Sequence, residues 1–280
     1  MLGQWQEGLD YALRDRQIGD DIGSLDRVAW ADYSLGYALF GQGRLREGRD
    51  VAAGGLAAAE RIGDRRLVVW FSGLLGCLEA DLGEDEAGLA HVEQAVGLAE
   101  ELGQVALQCG SLYAAAYRHI RQGQYEPALE LCRRGRALHT PTENRVGALY
   151  IGAVAGEALC GAGELEEAAR ETAAFLALTR EAAARHWEGV ALRAQGRLLA
   201  IQARWDEADQ VLNPAVALFE QLGSRLELGR ALVERALARQ ATGCADLARA
   251  DAAQATALFE ACGVVRDAQQ AHSLLQMPGV

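Results

Sequence analysis

Apolar, polar and small positions along this chain recur every forty residues. The clearest copy is Gly163-Glu164-Leu165-Glu166-Glu167-Ala168, with a glycine, a bulky residue two places on and a small residue five places on. Forty-residue steps from Gly163 reach Gly3, Gly43, Gly83, Gly123, Ala203 and Gly243. The bulky place holds Trp5, Leu45, Tyr125, Leu165 and Trp205, lapsing to Asp85 and Ala245; the small place holds Gly8, Gly48, Gly88, Ala128, Ala168, Ala208 and Ala248. A second glycine marker keeps phase at Gly23, Gly63, Gly103, Gly223 and Gly263, usually after Ile or Leu. A fixed period in this range is the mark of a repeat architecture, in which each unit packs chiefly on its neighbours.

Each unit divides into two helical stretches, A and B. The pattern predicts an orphan B helix in residues 1–23 and hairpins at 24–63, 64–103, 104–143, 144–183, 184–223 and 224–263. A capping A helix over 264–280 ends before Pro278-Gly279. Ser24, Asp64, Asn144 and Ser224 stand where side-chain oxygens can cap the first turn of A. The glycines suit the left-handed residue that closes a helix. One place within A is always small, at Gly36, Gly76, Ala116, Gly156, Gly196 and Ala236. Glycine in a helix interior costs about 1 kcal/mol against alanine, so the register implies close approach of the paired B helix. Two places break the pattern. Pro141, in the connector from His139 to Asn144, should end its helix early, and Pro214 falls inside a B helix, predicting a kink or a lost hydrogen bond near Asn213.

A small residue in A followed by Gly-x-aromatic/Leu-x-x-Ala resembles the tetratricopeptide repeat. Glu164 to Ala168 and Arg204-Trp205-Asp206-Glu207-Ala208 are the best matches. The family's early tryptophan of helix A is missing, its places holding Asp32, Ser72, Leu112, Gly152, Leu192 and Leu232, and the period exceeds the usual 34. The resemblance implies an all-α, right-handed superhelical solenoid of about seven 40-residue helix–turn–helix repeats, one domain throughout. The Leu-Phe-Glu-x-Leu-Gly ending at Leu218 to Gly223 is similar in style to the helical regions of bacterial signalling ATPases. Those include regulators like the maltose-regulon activator and ATPase-linked adenylyl cyclases.

Composition agrees with helices. Hydrophobic residues make up 50% of the chain but aromatics only 6%, and only four prolines occur. The net charge of −12 argues against nucleic-acid binding, which depends on neutralising phosphates with basic side chains. No lysine occurs, so all 27 basic residues are arginine, as a GC-rich bacterial genome would give. A Schiff-base amine and a Gly-Lys-Ser/Thr phosphate loop are both ruled out. Cys77, Cys109, Cys132, Cys160, Cys244 and Cys262 have no metal-type spacing and suit apolar filling in a reducing compartment. The five histidines occupy five repeat positions with no His or Cys at ligand spacing, His119 and His186 being expected as half-buried packing residues. No G-x-S-x-G occurs. The acidic starts Glu84-Asp85-Glu86 and Glu164 to Glu167 complement helix dipoles, as Arg133-Arg134-Gly135-Arg136 does at a helix end. No leader segment or run of 18 apolar residues is present, so the expected location is the cytoplasm, away from membranes.

One pattern points to a site. In tetratricopeptide-like arrays helix A lines the concave face, and unit positions 7, 10, 14 and 17 look inward. These positions hold Trp30, Tyr33, Tyr37, Phe40, Trp70, Tyr113, Tyr117 and Tyr150, eight of the 17 aromatics. Trp30, Tyr33, Tyr37 and Phe40 fall on one continuous face. Further along, the stripe turns basic at Arg193, Arg197 and Arg230, with Arg121 one place off it. Aromatics grading into arginines suit a ligand with apolar and acidic parts. The competing account makes the aromatics filler between neighbouring A helices and pairs the arginines with Glu157 or Glu234. On a mixed outcome, Tyr37, Tyr113 and Tyr117 are exposed and Trp70 is mostly packed.

The residues therefore predict a non-catalytic interaction or effector-sensing domain without cofactor or metal, taking a peptide, a protein or a small effector in its concave face. An array that opens on an orphan B helix suggests a fragment of a larger bacterial signalling or transcriptional regulator. The alternative is a structural assembly module that self-associates, as a homodimer, through that first helix.

Overall fold

The computed structural model describes residues 4–138 and 144–276, all helical apart from turns. The first helix is B-type, α1 (Trp5–Asp21). A and B helices then alternate as α2 (Leu25–Gly41) with α3 (Leu45–Ile62), α4 (Arg65–Leu82) with α5 (Asp85–Leu102), and α6 (Val105–Arg121) with α7 (Tyr125–Ala137). They continue as α8 (Arg145–Ala162) with α9 (Leu165–Glu181), α10 (Arg185–Ile201) with α11 (Trp205–Leu222), and α12 (Arg225–Ala241) with α13 (Ala245–Cys262). The A helix α14 (Val265–Leu275) closes the series. Contacts divide the chain into two compact units, Gln4–Val154 and Ala155 onward. In the first, α4 packs on α3, α5 and α6; in the second, α12 packs on α10, α11 and α13. This is an all-α solenoid. Among the described residues no helix is long and apolar enough to cross a membrane.

Close approach of A and B does rest on small residues. A Cβ on Gly36 would lie 3.5 Å from the Gly48 carbonyl, and one on Gly48 would lie 3.3 Å from the Gly36 carbonyl. Gly76 and Gly88 repeat the contact at 3.4 Å each way. Other glycines are notches for rings. Phe219 fits Gly189 and Phe259 fits Gly229, each ring 2.7 Å from where a Cβ would stand. Both phenylalanines are fully buried. The bulky place after the turn is buried at Leu45 and half-buried at Tyr125, Leu165 and Trp205, while Trp5 of the orphan α1 is buried against Gly41 of α2.

Capping divides the four predicted residues. Ser24 accepts from Arg27 N, Asp64 from Arg66 N and Leu67 N, and Asn144 from Gly147 N. Ser224 makes no cap; its hydroxyl lies 3.3 Å from Nδ1 of His186. The α7 helix has 13 residues where α5 has 18, which agrees with an early end before Pro141. Pro141 itself, like the rest of 139–143 and Pro278-Gly279, lies outside the described residues. Helix α11 continues through Pro214, whose missing N–H removes one hydrogen bond of the helix, the lost bond expected near Asn213.

The turn residues at 23, 43, 63, 83, 103, 123, 163, 223, 243 and 263 are all glycine with positive φ. Two alanines stand in the same role, Ala183 at φ 50° and Ala203 at φ 58°. A Cβ in this conformation costs roughly 1–2 kcal/mol. Ala203→Gly is therefore expected to raise stability by about 1 kcal/mol. A higher urea midpoint with unchanged slope is the expected reading, and an unchanged or lower midpoint would contradict it.

Candidate binding cleft

In the first unit the A helices α2, α4, α6 and the start of α8 bring their inner positions around one half-open cleft. It is lined by Tyr33, Tyr37 and Phe40 from α2 and by Val69, Trp70, Gly73, Leu74 and Cys77 from α4. Gly110, Tyr113 and Ala114 from α6 and Tyr150 from α8 complete it. The free volume is about 30 Å³, room for a few heavy atoms, because the rings also pack on one another. Tyr33 sits centrally, with ring centroids at 5.8 Å from Trp70, 6.4 Å from Tyr37 and 5.7 Å from Phe71. Tyr150 joins Trp70 at 6.1 Å and Tyr113 at 5.4 Å. Trp70 also seats against Gly110, where a Cβ would come within 2.5 Å of the indole.

The hydroxyls are as organised as the rings. Tyr33 and Tyr150 are hydrogen-bonded to each other, and burial, foremost, holds the pKa of both well above the usual phenol value. Burial likewise pushes up the Tyr37 hydroxyl and the Cys77 thiol, the latter aided by Asp81. All four groups are neutral at pH 7. Just outside the cleft, the Tyr117 hydroxyl donates to Asp81 Oδ2 at 2.7 Å, and Arg121 Nε lies 3.1 Å from the other carboxylate oxygen.

Of the eight aromatics on the predicted stripe, six line the cleft. Trp30 stands beside it, edge-on to Tyr33, and Tyr117 stacks at a tilt on Tyr113 and edge-on to Phe40. The exposure pattern differs from the expected mixture. Tyr37 and Tyr117 are half-buried, but Tyr113 is buried along with Tyr150, because α6 and α8 bring the two rings together. Trp70 is half-buried. Gly73, Cys77 and Gly110 hold stripe positions too and were missed, since small residues carry no chemical signal; Asp81 lies one place off the stripe.

Arg193, Arg197 and Arg230 belong to the second unit. Arg193 bridges Glu157 and Glu227, each at 3.0 Å. Arg230 bridges Glu227 at 2.7 Å and Asp267 at 3.1 Å. Arg197 takes Glu157 at 3.1 Å and reaches Glu234 at 3.6 Å. Three guanidiniums thus stand among four carboxylates. The pairing with Glu157 and Glu234 considered from sequence is present, and Glu227 and Asp267 extend it. An acidic ligand would have to displace these carboxylates, which removes the reason for reading the arginines as its anchor. Burial alone would raise the Glu227 carboxyl, but Arg193 and Arg230 outweigh it and bring the pKa to about 2. Glu234 has only the long contact to Arg197, and burial keeps its pKa above the ordinary value. His186 is buried rather than half-buried, between Trp187 and Phe219, and burial lowers its pKa to about 4.

Among the described residues no group of three or more His, Cys, Asp or Glu could hold a metal. Cys244 is exposed; the other five cysteines are buried.

No protein-family model matches the chain, and no curated protein matches it. Solved structures do. A Rap protein complexed with competence and sporulation factor aligns at TM-score 0.66 and 13% identity, over 97% of this chain and 86% of that one. A tetratricopeptide repeat protein from Parabacteroides merdae aligns at 0.55 and 14%, over 96% and 98%. BtubC from P. vanneervenii aligns at 0.55 and 18%, over 78% and 91%. Identities this low speak to fold alone, and the fold is that of a tetratricopeptide-like, all-helical solenoid.

Proposed function

We propose that the chain is a non-catalytic interaction domain that takes a segment of a peptide or protein partner at the aromatic cleft of its first unit. One observation carries this reading: six aromatic residues from three A helices and α8 converge on a cleft that remains half-open. Tyr113 and Tyr150 are closed in by their neighbours, but Tyr33, Tyr37, Phe40 and Trp70 stay only half-buried around the opening. Tyrosine and tryptophan also supply contact area at low entropic cost, as at binding hot spots. The alignment with a Rap protein solved with competence and sporulation factor is consistent with such a role. The wider role is the sensory or scaffolding part of a larger bacterial signalling regulator, located in the cytoplasm. The Arg193–Arg197–Arg230 network positions helices here and does not hold ligand.

The test is selection of binders from a random peptide display library against the full chain. Peptides so selected should lose at least tenfold in affinity with Tyr37→Ala or Trp70→Ala, and keep it with the exposed control Arg249→Ala. Equal binding by parent and both cleft variants would refute the assignment.

A second reading has its own observation. Tyr11, Ile18 and Ile22 lie along one face of α1 and are 44–64% exposed, with Leu25 beside them at 63%. Forty residues on, the counterpart of Tyr11 is Val51, which packs against the buried cluster of Leu9, Ala12, Leu35, Ala38 and Leu39. The α1 face lacks such cover and suits self-association as a homodimer. Sedimentation equilibrium decides it: a monomer at all concentrations excludes this assembly, and a dimer dispersed by Ile18→Glu/Ile22→Glu supports it.

A further inference from the structure

Each B helix packs on the A helix before it through a few fixed places. Among the described residues α1 has no A helix before it and α14 no B helix after it. The places concerned are uncovered on both. The small place five residues after the turn is buried at Gly48, Gly88, Ala128, Ala168, Ala208 and Ala248. A Cβ on Gly48 or Gly88 would lie 3.3 or 3.4 Å from a carbonyl of the paired A helix, but one on Gly8 would meet nothing within 4 Å. Tyr11, Ile18 and Ile22 are exposed, whereas Val51, Leu98 and Leu222 at the corresponding places are half-buried.

Helix α14 shows the converse. In earlier hairpins the A helix meets its own B helix where Gly189 and Gly229 receive Phe219 and Phe259, where Ser72 donates to Gln94 at 2.9 Å, and where Gly36 faces Gly48. The α14 residues at those places are Gln269, His272 and Gln276, and all three are exposed. Leu275 holds the place of Leu35 and is half-buried where Leu35 is buried. Charge separates the candidate partners. Helix α1 carries Glu7, Asp10, Asp15, Asp20 and Asp21 against Arg14 and Arg16. On α14, Asp267 is buried against Arg230, and the exposed ionisable groups are Arg266 and His272. Two α1 faces would set like charges together, whereas α14 offers α1 no exposed acid.

We propose that α14 of a second copy of this chain docks on the open face of α1, so that each helix gains the hairpin partner it lacks. This inference rests on the second reading above, that α1 is a self-association surface, and names the face that meets it. Leu275 packs on Tyr11 as Leu35 and Val51 share one cluster, and the notch at Gly8 takes the α14 backbone at Gln276 as Gly48 takes that at Gly36. The two faces differ, so the contact is heterologous and repeats from copy to copy, unlike a two-fold pairing of α1 with α1.

The experiment is sedimentation equilibrium of the full chain with one face blocked at a time. Ile18→Glu/Ile22→Glu blocks α1, and Gln269→Glu/His272→Glu blocks α14; all four side chains are exposed, so the melting temperature should match the parent's. The parent should self-associate, and each variant alone should be monomeric at the same concentrations. Their equimolar mixture should form a dimer, because one variant keeps α14 and the other keeps α1. Gly8→Leu, which fills the notch without a clash, should weaken association at least tenfold, while Gly54→Leu, in equally open space on α3, should leave it unchanged. An α14-blocked variant that dimerises as the parent does would overturn this inference and leave α1 paired with α1. A mixture that stays monomeric, or Gly8→Leu associating like the parent, would also overturn it. A parent that is monomeric at every concentration would overturn the self-association reading itself.

Discussion

Arg193→Ala is expected to lower the stability of the chain by about 3–5 kcal/mol, the cost of breaking a buried ion pair from one side. The Arg193 side chain is 7% exposed and is the link between Glu157 of α8 and Glu227 of α12. Removing it leaves two carboxylates in a low-dielectric site with one cation fewer to compensate them. The neighbouring acids respond differently. Glu227→Gln should cost about 3 kcal/mol, because its pKa, lowered from 4.5 to about 2, measures how strongly the folded state favours its charge. That stabilisation is present above pH 4.5 and is lost as the pH falls through about 2. Glu234→Gln should be neutral or stabilising, since burial raises its pKa and its single arginine contact is long. Urea denaturation of the three variants gives the order directly. A Glu234→Gln loss as large as that of Glu227→Gln would contradict this account of the network.

Acid should weaken the protein before those carboxylates titrate, because of His186. Burial lowers its pKa from 6.5 to about 4, against the pull of Glu227 and with the help of Arg193. The unfolded chain therefore binds a proton between these values that the folded chain does not. The sign follows: the contribution is full above pH 6.5 and is lost as the pH falls through about 4, amounting to about 3 kcal/mol. His186→Gln, which can keep a hydrogen bond to Ser224, should flatten the dependence in that window and leave the later acid transition in place. A parent protein whose unfolding free energy is level from pH 7 to pH 4.5 would show that His186 is solvated.

Most of the helical frame was legible because it depends on short-range rules. Left-handed turn residues favour glycine, so Gly43 or Gly163 marks a helix end without any tertiary knowledge. The same regularity placed Gly36 against Gly48. Ser224 shows the limit, since its capping chemistry is overridden by His186, a residue thirty-eight positions away that is brought close by packing. The inner stripe was readable because aromatics at Tyr33, Tyr37, Trp70, Tyr113 and Tyr150 share one register. Which rings would be covered was not readable: Tyr113 is buried by a ring thirty-seven residues on, and that distance is set by how hairpins stack. The arginines illustrate the same point. Repeat phase put Arg193, Arg197 and Arg230 on the inner positions, but Glu157 holds an inner position too, and Glu227 and Asp267 reach the cluster from off the stripe. Partner choice in a buried charge network depends on three-dimensional proximity that the period does not encode.

The central claim is that ligand enters among the rings of the first unit. Fluorine NMR of the chain carrying 5-fluorotryptophan tests it most directly, because the five tryptophans are spread along the chain and Trp70 alone lines the cleft. With Trp70 assigned by Trp70→Phe, a display-selected peptide should shift or broaden the Trp70 signal and leave Trp187 and Trp205 in place. A response at Trp187 or Trp205 with Trp70 unmoved would contradict the account.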